Sequence, residues 1–349
     1  MNQKDIKEFS RILLHWYDHN GRNLPWRTDP TPYRVWISEI MLQQTRVDTV
    51  IPYFERFMEE APTLEDLVKL PEERILKLWE GLGYYSRARN IKKAAHIIQD
   101  SFCGEVPSDF NDLLSLPGIG PYTAGAIASM AFQVKVPAVD GNVLRILARI
   151  TANHGDIKST KVIREIEALV KDLLPEDRPG HFNQALMDLG ATICLPNGAP
   201  KCIECPMQYI CKAYAKGLAT HLPVKAKKKP RKIEKKTVLL IQYRDQVALW
   251  QRPSKGLLSN LWEYPNVEGH LSLEELNKSL EEWGITPKEI QPLADSKHIF
   301  SHLEWHMIAY HVTVQEVPGD FHPTWASKEE LIEQYSIPAA YKAYTDTIV

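Results

Sequence analysis

No apolar run in the 349 residues approaches the ~20 needed to cross a bilayer, so no membrane-spanning helix is expected. Nor is there a surplus of one charge: 42 Lys and Arg face 44 Asp and Glu, a formal net charge of −2. That balance is unlike a broadly basic nucleic-acid-binding domain, whose pI usually exceeds about 9. A polyanionic partner would have to be met by local charge and by geometry. The N-terminal stretch MNQKDIKEFSRILLHWYDHN lacks the basic start, apolar centre and small-residue cleavage site of an export signal. The chain is therefore expected to stay in the cytosol. Cysteine is scarce, five residues in all, but Cys194, Cys202, Cys205 and Cys211 crowd together while Cys103 stands alone. In a long chain without an export signal, such a cluster suggests metal binding more than disulfides.

What is present divides into two parts. Over 1–222, apolar residues recur at three-and-four spacing in 5–18, 45–58, 84–99, 121–132 and 161–174, broken by short Pro/Gly punctuation. An all-α domain is expected there. PVKAKKKPRKIEKK (223–236) carries eight Lys/Arg against one Glu and two prolines, the composition of a solvated linker that could also touch phosphates. From 237 to 349 the period changes. KTVLLIQYRDQVALWQRP predicts two strands joined at Arg244-Asp245-Gln246, followed by a helix over 272–283 and strands over 297–300 and 304–314, an α+β domain.

The cysteine spacing is C-x7-C-x2-C-x5-C. Four thiolates can hold zinc or a [4Fe–4S] cluster. A zinc ribbon more often shows two separated CxxC pairs. A single CxxC within one short loop favours an iron–sulfur cluster. Upstream, LPGIGPYTAG (116–125) sits between helical stretches. Gly118 and Gly120 let the backbone approach a phosphate, and Pro121 can occupy a first helical turn whose free N–H groups face an anion.

Two acids stand out. Glu39, in PTPYRVWISEIMLQQT, has Val35, Trp36, Leu42 and Gln43 as helical neighbours. An acid among apolar groups has its pKa raised and can donate a proton near neutrality, although most lone helix glutamates are exposed or salt-bridged. Asp140, in PAVDGNVLRILARI, immediately precedes an apolar-periodic helix, where aspartate is a good N-cap; such a residue would be rigid and ionised.

The order Glu39, hairpin, Asp140, cysteine loop resembles the endonuclease III superfamily of helix-hairpin-helix DNA glycosylases over nearly all of 1–222. The first cysteine gap is seven residues against the superfamily's usual six. WISEIMLQQT and LPWR resemble its adenine DNA glycosylase branch. Superfamily members that also cut the strand carry a lysine just after the hairpin, where this chain has Tyr122; a phenol cannot form an imine, so base excision without efficient strand cleavage is expected. The resemblance implies double-stranded DNA with adenine opposite 8-oxoguanine or guanine as substrate, bound by a monomer associated with the nucleoid.

In that frame Glu39 would protonate a flipped adenine and Asp140 would stabilise the positive sugar, by charge or a transient bond. Tyr122 and Asn142 would orient the acids or the water, and Arg27 and Gln184 would line the adenine pocket. Leu116, Gly118 and Gly120 would meet the backbone, while Gln44 and Tyr84 would wedge into the stack and hold the orphaned base. The [4Fe–4S] cluster would be structural.

KGLLSNLWEYPNVEG resembles Nudix-type domains, but Asn277 and Lys278 stand at the signature's Arg-Glu positions, and only Glu281, Glu282, Gly284 and Ile285 fit. Nucleotide hydrolysis is not expected. Phe300, Ser301 and His302, in IFSHLEW, match the branch's 8-oxoguanine recognition loop. The competing readings are a bifunctional pyrimidine glycosylase/lyase, a non-catalytic iron–sulfur DNA-binding protein and an active Nudix hydrolase.

Overall fold

The computed structural model describes residues 3–226, 230–317, 319 and 321–348. By contacts the chain divides into two units, Met1–Lys69 with Asn90–Lys228, and Leu70–Arg89 with Lys229–Val349.

The first unit is helical, as the apolar spacing predicts. Its described helices are α1 (Gln3–Asn20), α2 (Pro25–Thr28), α3 (Pro32–Leu42), α4 (Val47–Glu60) and α5 (Leu64–Lys69). The chain then passes through α6 (Glu72–Leu78), in the second unit, and α7 (Ser86–Ser101), which begins there. It returns with α8 (Phe110–Ser115), α9 (Pro121–Phe132), α10 (Gly141–Thr151), α11 (Thr160–Leu173), α12 (Pro179–Thr192) and α13 (Lys212–Ala215). Prolines open α2, α3, α9 and α12, where the missing N–H costs nothing. One core joins Phe9 and Leu13 of α1 to Leu147 of α10, Val170 of α11 and Leu186 of α12. Where α9 packs against the connecting segment that follows it, glycine is obligatory: a Cβ on Gly125 would lie 2.1 Å from the Pro137 carbonyl oxygen.

The second unit holds a mixed seven-stranded sheet. Its central path is β3 (Trp262–Glu263), β2 (Gln246–Gln251), β1 (Lys232–Tyr243), β6 (Leu303–Val314) and β5 (Pro287–Ile299). β4 (Asn266–Glu268) pairs with β1 and β7 (Thr324–Ser327) with β2. β1 and β6 are parallel, with Val238 opposite Ala309. The period-two side-chain rule separates two cores: Val238 and Leu240 face one, Leu239 and Ile241 the other. The first is covered by Tyr341 and Tyr344, the second by Leu276 and Leu280 of α14 (Leu273–Glu282). Two short helices, α15 (Lys328–Glu333) and α16 (Lys342–Thr345), complete the unit.

The segment expected as a linker is shorter than its charge suggested. Val224 is bridged to Asp156, and β1 begins at Lys232, because Ile233 to Lys236 find ladder partners in β6 despite their polarity. Residues 227–229 of that segment lie outside the described residues. β5 also starts well before the expected 297; Pro287 and Pro292 obscured it, and both are tolerated because β5 ends the sheet path.

Candidate active site

Helix α3 is set by Thr31, whose hydroxyl accepts from Arg34 N at 3.3 Å, and by Pro32 in its first turn. Its length from Tyr33 to Met41 is almost wholly buried, so Glu39, 3% exposed, is carried into the protein with the apolar residues around it. Across from it α9 begins, and the Tyr122 hydroxyl donates to Glu39 Oε2 at 2.5 Å. Asp140 caps α10. Its Oδ1 accepts from the backbone N–H groups of Asn142 and Val143, each at 2.8 Å, and its Oδ2 from Asn142 Nδ2 at 2.6 Å. Glu39, Asp140, Tyr122, Asn142, Arg27 and Gln184 all line one cleft of about 440 Å³.

Their protonation follows from these surroundings. Burial pushes the Glu39 carboxyl up to about 7; the Tyr122 hydrogen bond pulls against it, and the Asp140 charge adds to it. Tyr122 lies well above its ordinary value through burial and the two acids, so it keeps its proton and acts as donor. Asp140 is also raised by burial, opposed by the N–H bonds from Val143 and Asn142 and by the Arg145 charge. Of the two acids, Asp140 accepts three N–H bonds where Glu39 accepts one O–H, so Asp140 is the better home for negative charge.

Arg27 is less free than its sequence context implied. Its guanidinium forks onto Asp188, at 2.7 and 3.0 Å, and Arg22 shares the same carboxylate through a 2.8 Å bond from Nε. Asp188 is fully buried, and the two arginines hold its carboxyl below the usual range although burial alone would raise it. Gln184 accepts from the Tyr17 hydroxyl, which orients its amide. Asp188 was missed in the sequence; an acid inside the apolar helix FNQALMDLG is the signal that could have found it.

Beneath Asp140 runs a second arginine system that sequence reasoning also missed. Arg145 donates to Asn142 Oδ1 and, through Nε, to the Cys194 carbonyl, both at 2.8 Å. Arg149 donates to Cys194 Sγ at 3.2 Å. Cys194, Cys202, Cys205 and Cys211 line a single cavity. The seven-residue gap is absorbed by a loop that closes through Lys201 N to Ile193 O at 3.0 Å and turns at Gly198, φ +72°. Burial and the neighbouring sulfurs raise the thiols of Cys202, Cys205 and Cys211, that of Cys205 to about 12. Among the described residues no three His, Cys, Asp or Glu gather closely enough for one metal ion. Four sulfurs spread around one cavity suit, as thiolates, the cationic core of a multi-atom metal–sulfide group better than a single zinc ion, and the Arg149 guanidinium offsets thiolate charge at Cys194.

The hairpin is formed as expected. Gly118 has φ +82° and lies against Asn90, where a Cβ would come within 2.8 Å of that residue's Cβ. Gly120 precedes α9 with no side-chain cap and open space where a Cβ would sit, so the first N–H groups of the helix have no side-chain acceptor at the cap. Leu116, at the start of the hairpin, is buried. Gln44 and Tyr84 are both exposed with left-handed backbones, φ 59° and 49°. That conformation is uncommon for non-glycine residues and clusters at functional sites.

In the second unit Phe300 packs its ring on Trp305 and His298, while Ser301 and His302 stand exposed in the turn between β5 and β6. Tyr84, which belongs to the same unit, meets Ser301: the two hydroxyls are 2.6 Å apart. On α14, Lys278 pairs with Glu274 at 3.2 Å on the exposed face and so leaves a cation where the Nudix pattern needs an acid.

Residues 37–172 match the family model described as HhH-GPD superfamily base excision DNA repair protein. Among curated proteins, the adenine DNA glycosylase of Mus musculus is 36% identical over 93% of this chain and 75% of its own length. That of Buchnera aphidicola (subsp. Schizaphis graminum) is 41% identical over 87% of each. The chain belongs to the adenine DNA glycosylase family. Residues 237–347 match the NUDIX domain model, in line with the mixed sheet of the second unit. Of solved structures, a thermostable thymine-DNA glycosylase superposes with TM-score 0.56 and 32% identity, covering 61% of this chain and 98% of that one. A non-covalent endonuclease III–DNA complex gives 0.54 and 25%, with 62% and 99% covered. No described helix is long and apolar enough to cross a membrane.

Proposed function

We propose that this protein removes adenine mispaired with 8-oxoguanine or guanine in double-stranded DNA by hydrolysing its N-glycosidic bond, leaving the strand uncut. The observation that carries this reading is the pairing of a proton-holding Glu39 with a hydrogen-bonded Asp140 in one cleft. The adenine must leave the stack to enter that cleft. Glu39 then protonates the purine at N7, and the glycosidic electrons depart with the base. Asp140 stabilises the cationic sugar, and water adds to C1′, returning a proton to the acids. Arg27, Gln184 and Asn142 orient base and carboxylate. Leu116, Gly118 and Gly120 hold the phosphodiester through backbone groups, and Gln44 and Tyr84 occupy the space the base vacates. Phe300, Ser301 and His302 read the opposite base, Ser301 by hydrogen-bonding an oxidised purine edge. Cys194, Cys202, Cys205 and Cys211 would hold a [4Fe–4S] cluster that fixes the loop and leaves the chemistry to the acids. The protein acts as a monomer in the cytoplasm, on the nucleoid when bound to DNA.

Tyr122 stands where a lyase needs an amine. A gel of an adenine:8-oxoguanine duplex should therefore show full-length strand after incubation and scission only after alkali. Scission without alkali would reinstate the bifunctional reading.

The single-turnover rate should fall as pH rises through about 7, because Glu39 must carry its proton. Tyr122→Phe removes a bond that lowers the Glu39 pKa, so this alkaline limb should move to higher pH. A limb that stays in place, or moves down, would break the assignment.

A further inference from the structure

The segment carrying Tyr84 is fastened to the sheet-bearing part of its unit by charges that no step above uses. Lys77, at the end of α6, has a side chain only 11% exposed. Its ammonium donates to the carbonyls of Leu331 and Tyr335, at 2.9 and 3.0 Å, and to Glu80 Oε2 at 2.6 Å. Leu331 lies in the last turn of α15, where carbonyls lack helical partners and a cation is favoured. Glu80 spans the same junction: its Oε1 accepts from Ile337 N at 2.7 Å. Arg89 adds two bonds to Ser259, each 2.8 Å. Tyr335, Ile337 and Phe300 belong to one hydrophobic core. The anchor points of the wedge segment and the base of the reading loop are therefore parts of one packed body.

We infer that Lys77 and Glu80 are a positioning pair that holds the Tyr84 wedge in register with the Ser301 loop, and so set discrimination between 8-oxoguanine and guanine opposite the adenine. The inference rests on the opposite-base reading proposed above. Within the left-handed Tyr84 turn, Arg87 donates to the Leu82 and Gly83 carbonyls and Trp79 Nε1 to Gly83, bonds that shape the turn but do not reach the sheet. Two ammonium bonds to backbone carbonyls and one carboxylate bond to a backbone N–H tie the helix end just before it to the sheet-bearing part, and the Lys77–Glu80 pair joins the two anchors. The Tyr84–Ser301 contact shows that this register brings wedge and reader within one hydrogen bond of each other. Because neither residue touches the cleft lined by the two acids, altering them leaves the chemistry intact.

The experiment compares adenine release under single-turnover, enzyme-saturating conditions from duplexes carrying adenine opposite 8-oxoguanine and opposite guanine. The full chain, Lys77→Met, Lys77→Arg and Glu80→Gln are each assayed, with melting temperature followed in parallel. In Lys77→Met the rate on the guanine duplex should hold, while the advantage of the 8-oxoguanine duplex should shrink by roughly tenfold. Lys77→Arg, which can still reach the carbonyls, should restore most of that advantage. Glu80→Gln keeps an acceptor for Ile337 N and provides a milder variant should Lys77→Met fail to fold; a smaller loss in the same direction is expected. An unchanged ratio in folded variants, whatever their melting temperature, would reduce the pair to ordinary structural support. If the unsubstituted protein itself shows no preference, the opposite-base reading fails first, and the coupling with it.

Discussion

Glu39→Gln should cripple adenine release yet make the protein more stable above neutral pH. The loss is that of a general acid, roughly 10²–10⁴-fold in the chemical step. The gain follows from linkage. Burial holds the folded Glu39 carboxyl up at about 7 against its ordinary 4.5. Below 4.5 the acid is protonated in both states and burial of the carboxyl brings no charge penalty. Between 4.5 and 7 the unfolded chain ionises first, so stability falls as pH rises. Above 7 the folded state carries the whole cost, on the order of 3 kcal/mol. A glutamine of the same shape avoids it, and its carbonyl still accepts the Tyr122 hydroxyl. Thermal melts at pH 5 and pH 8 should thus show little difference between the two proteins at the lower pH and a higher melting temperature for the variant at the higher. Equal melting curves at pH 8 would mean that Glu39 is not the buried, proton-holding acid described here.

Asp140→Asn should be as damaging to catalysis without a comparable change in stability. Removing a charge aimed at the cationic sugar costs about 10²–10³-fold in rate. Asparagine caps a helix about as well as aspartate, so the bonds from Asn142 N and Val143 N can persist. The amide that replaces Oδ2 would meet Asn142 Nδ2 donor to donor. Asn142 cannot turn over without giving up Arg145, which holds its Oδ1. That conflict costs roughly 1 kcal/mol, offset by relief of the buried charge. Single-turnover rates beside urea melts separate the two effects. A variant that loses activity only in proportion to its stability would assign Asp140 to capping alone.

Much of this was legible in the chain. Glu39, Tyr122 and Asp140 each sit in a local pattern that declares its element: a proline-opened helix, a glycine hairpin, an N-cap before an apolar period. Their convergence on one cleft is what those patterns, in that order, imply for the superfamily they resemble. The less visible residues act through burial that local pattern does not report. Asp188, Arg145 and Arg149 lie within apolar helices and look like interruptions until their partners arrive from distant segments, Arg22 and Arg27 for the first, Cys194 for the others. Lys77 and Glu80 look like an ordinary helix-surface pair, because their partners, the carbonyls of Leu331 and Tyr335 and the N–H of Ile337, are about 250 positions away and are backbone groups, which no side-chain pattern records. The start of β1 was hidden for the opposite reason: a run of lysines suggested solvent, and the ladder with β6 overrode it.

One position carries its importance as a missing atom. At Gly190, on α12, an added Cβ would fall 2.6 Å from Cβ of Asn142 and 3.2 Å from a terminal nitrogen of Arg145. A single methyl there would displace the amide that steadies Asp140, though every named acid, donor and sulfur would still be in the sequence. Such a variant would pass a census of functional groups and fail as a machine, since this corner of the protein is specified by emptiness as strictly as the cleft is by its carboxylates.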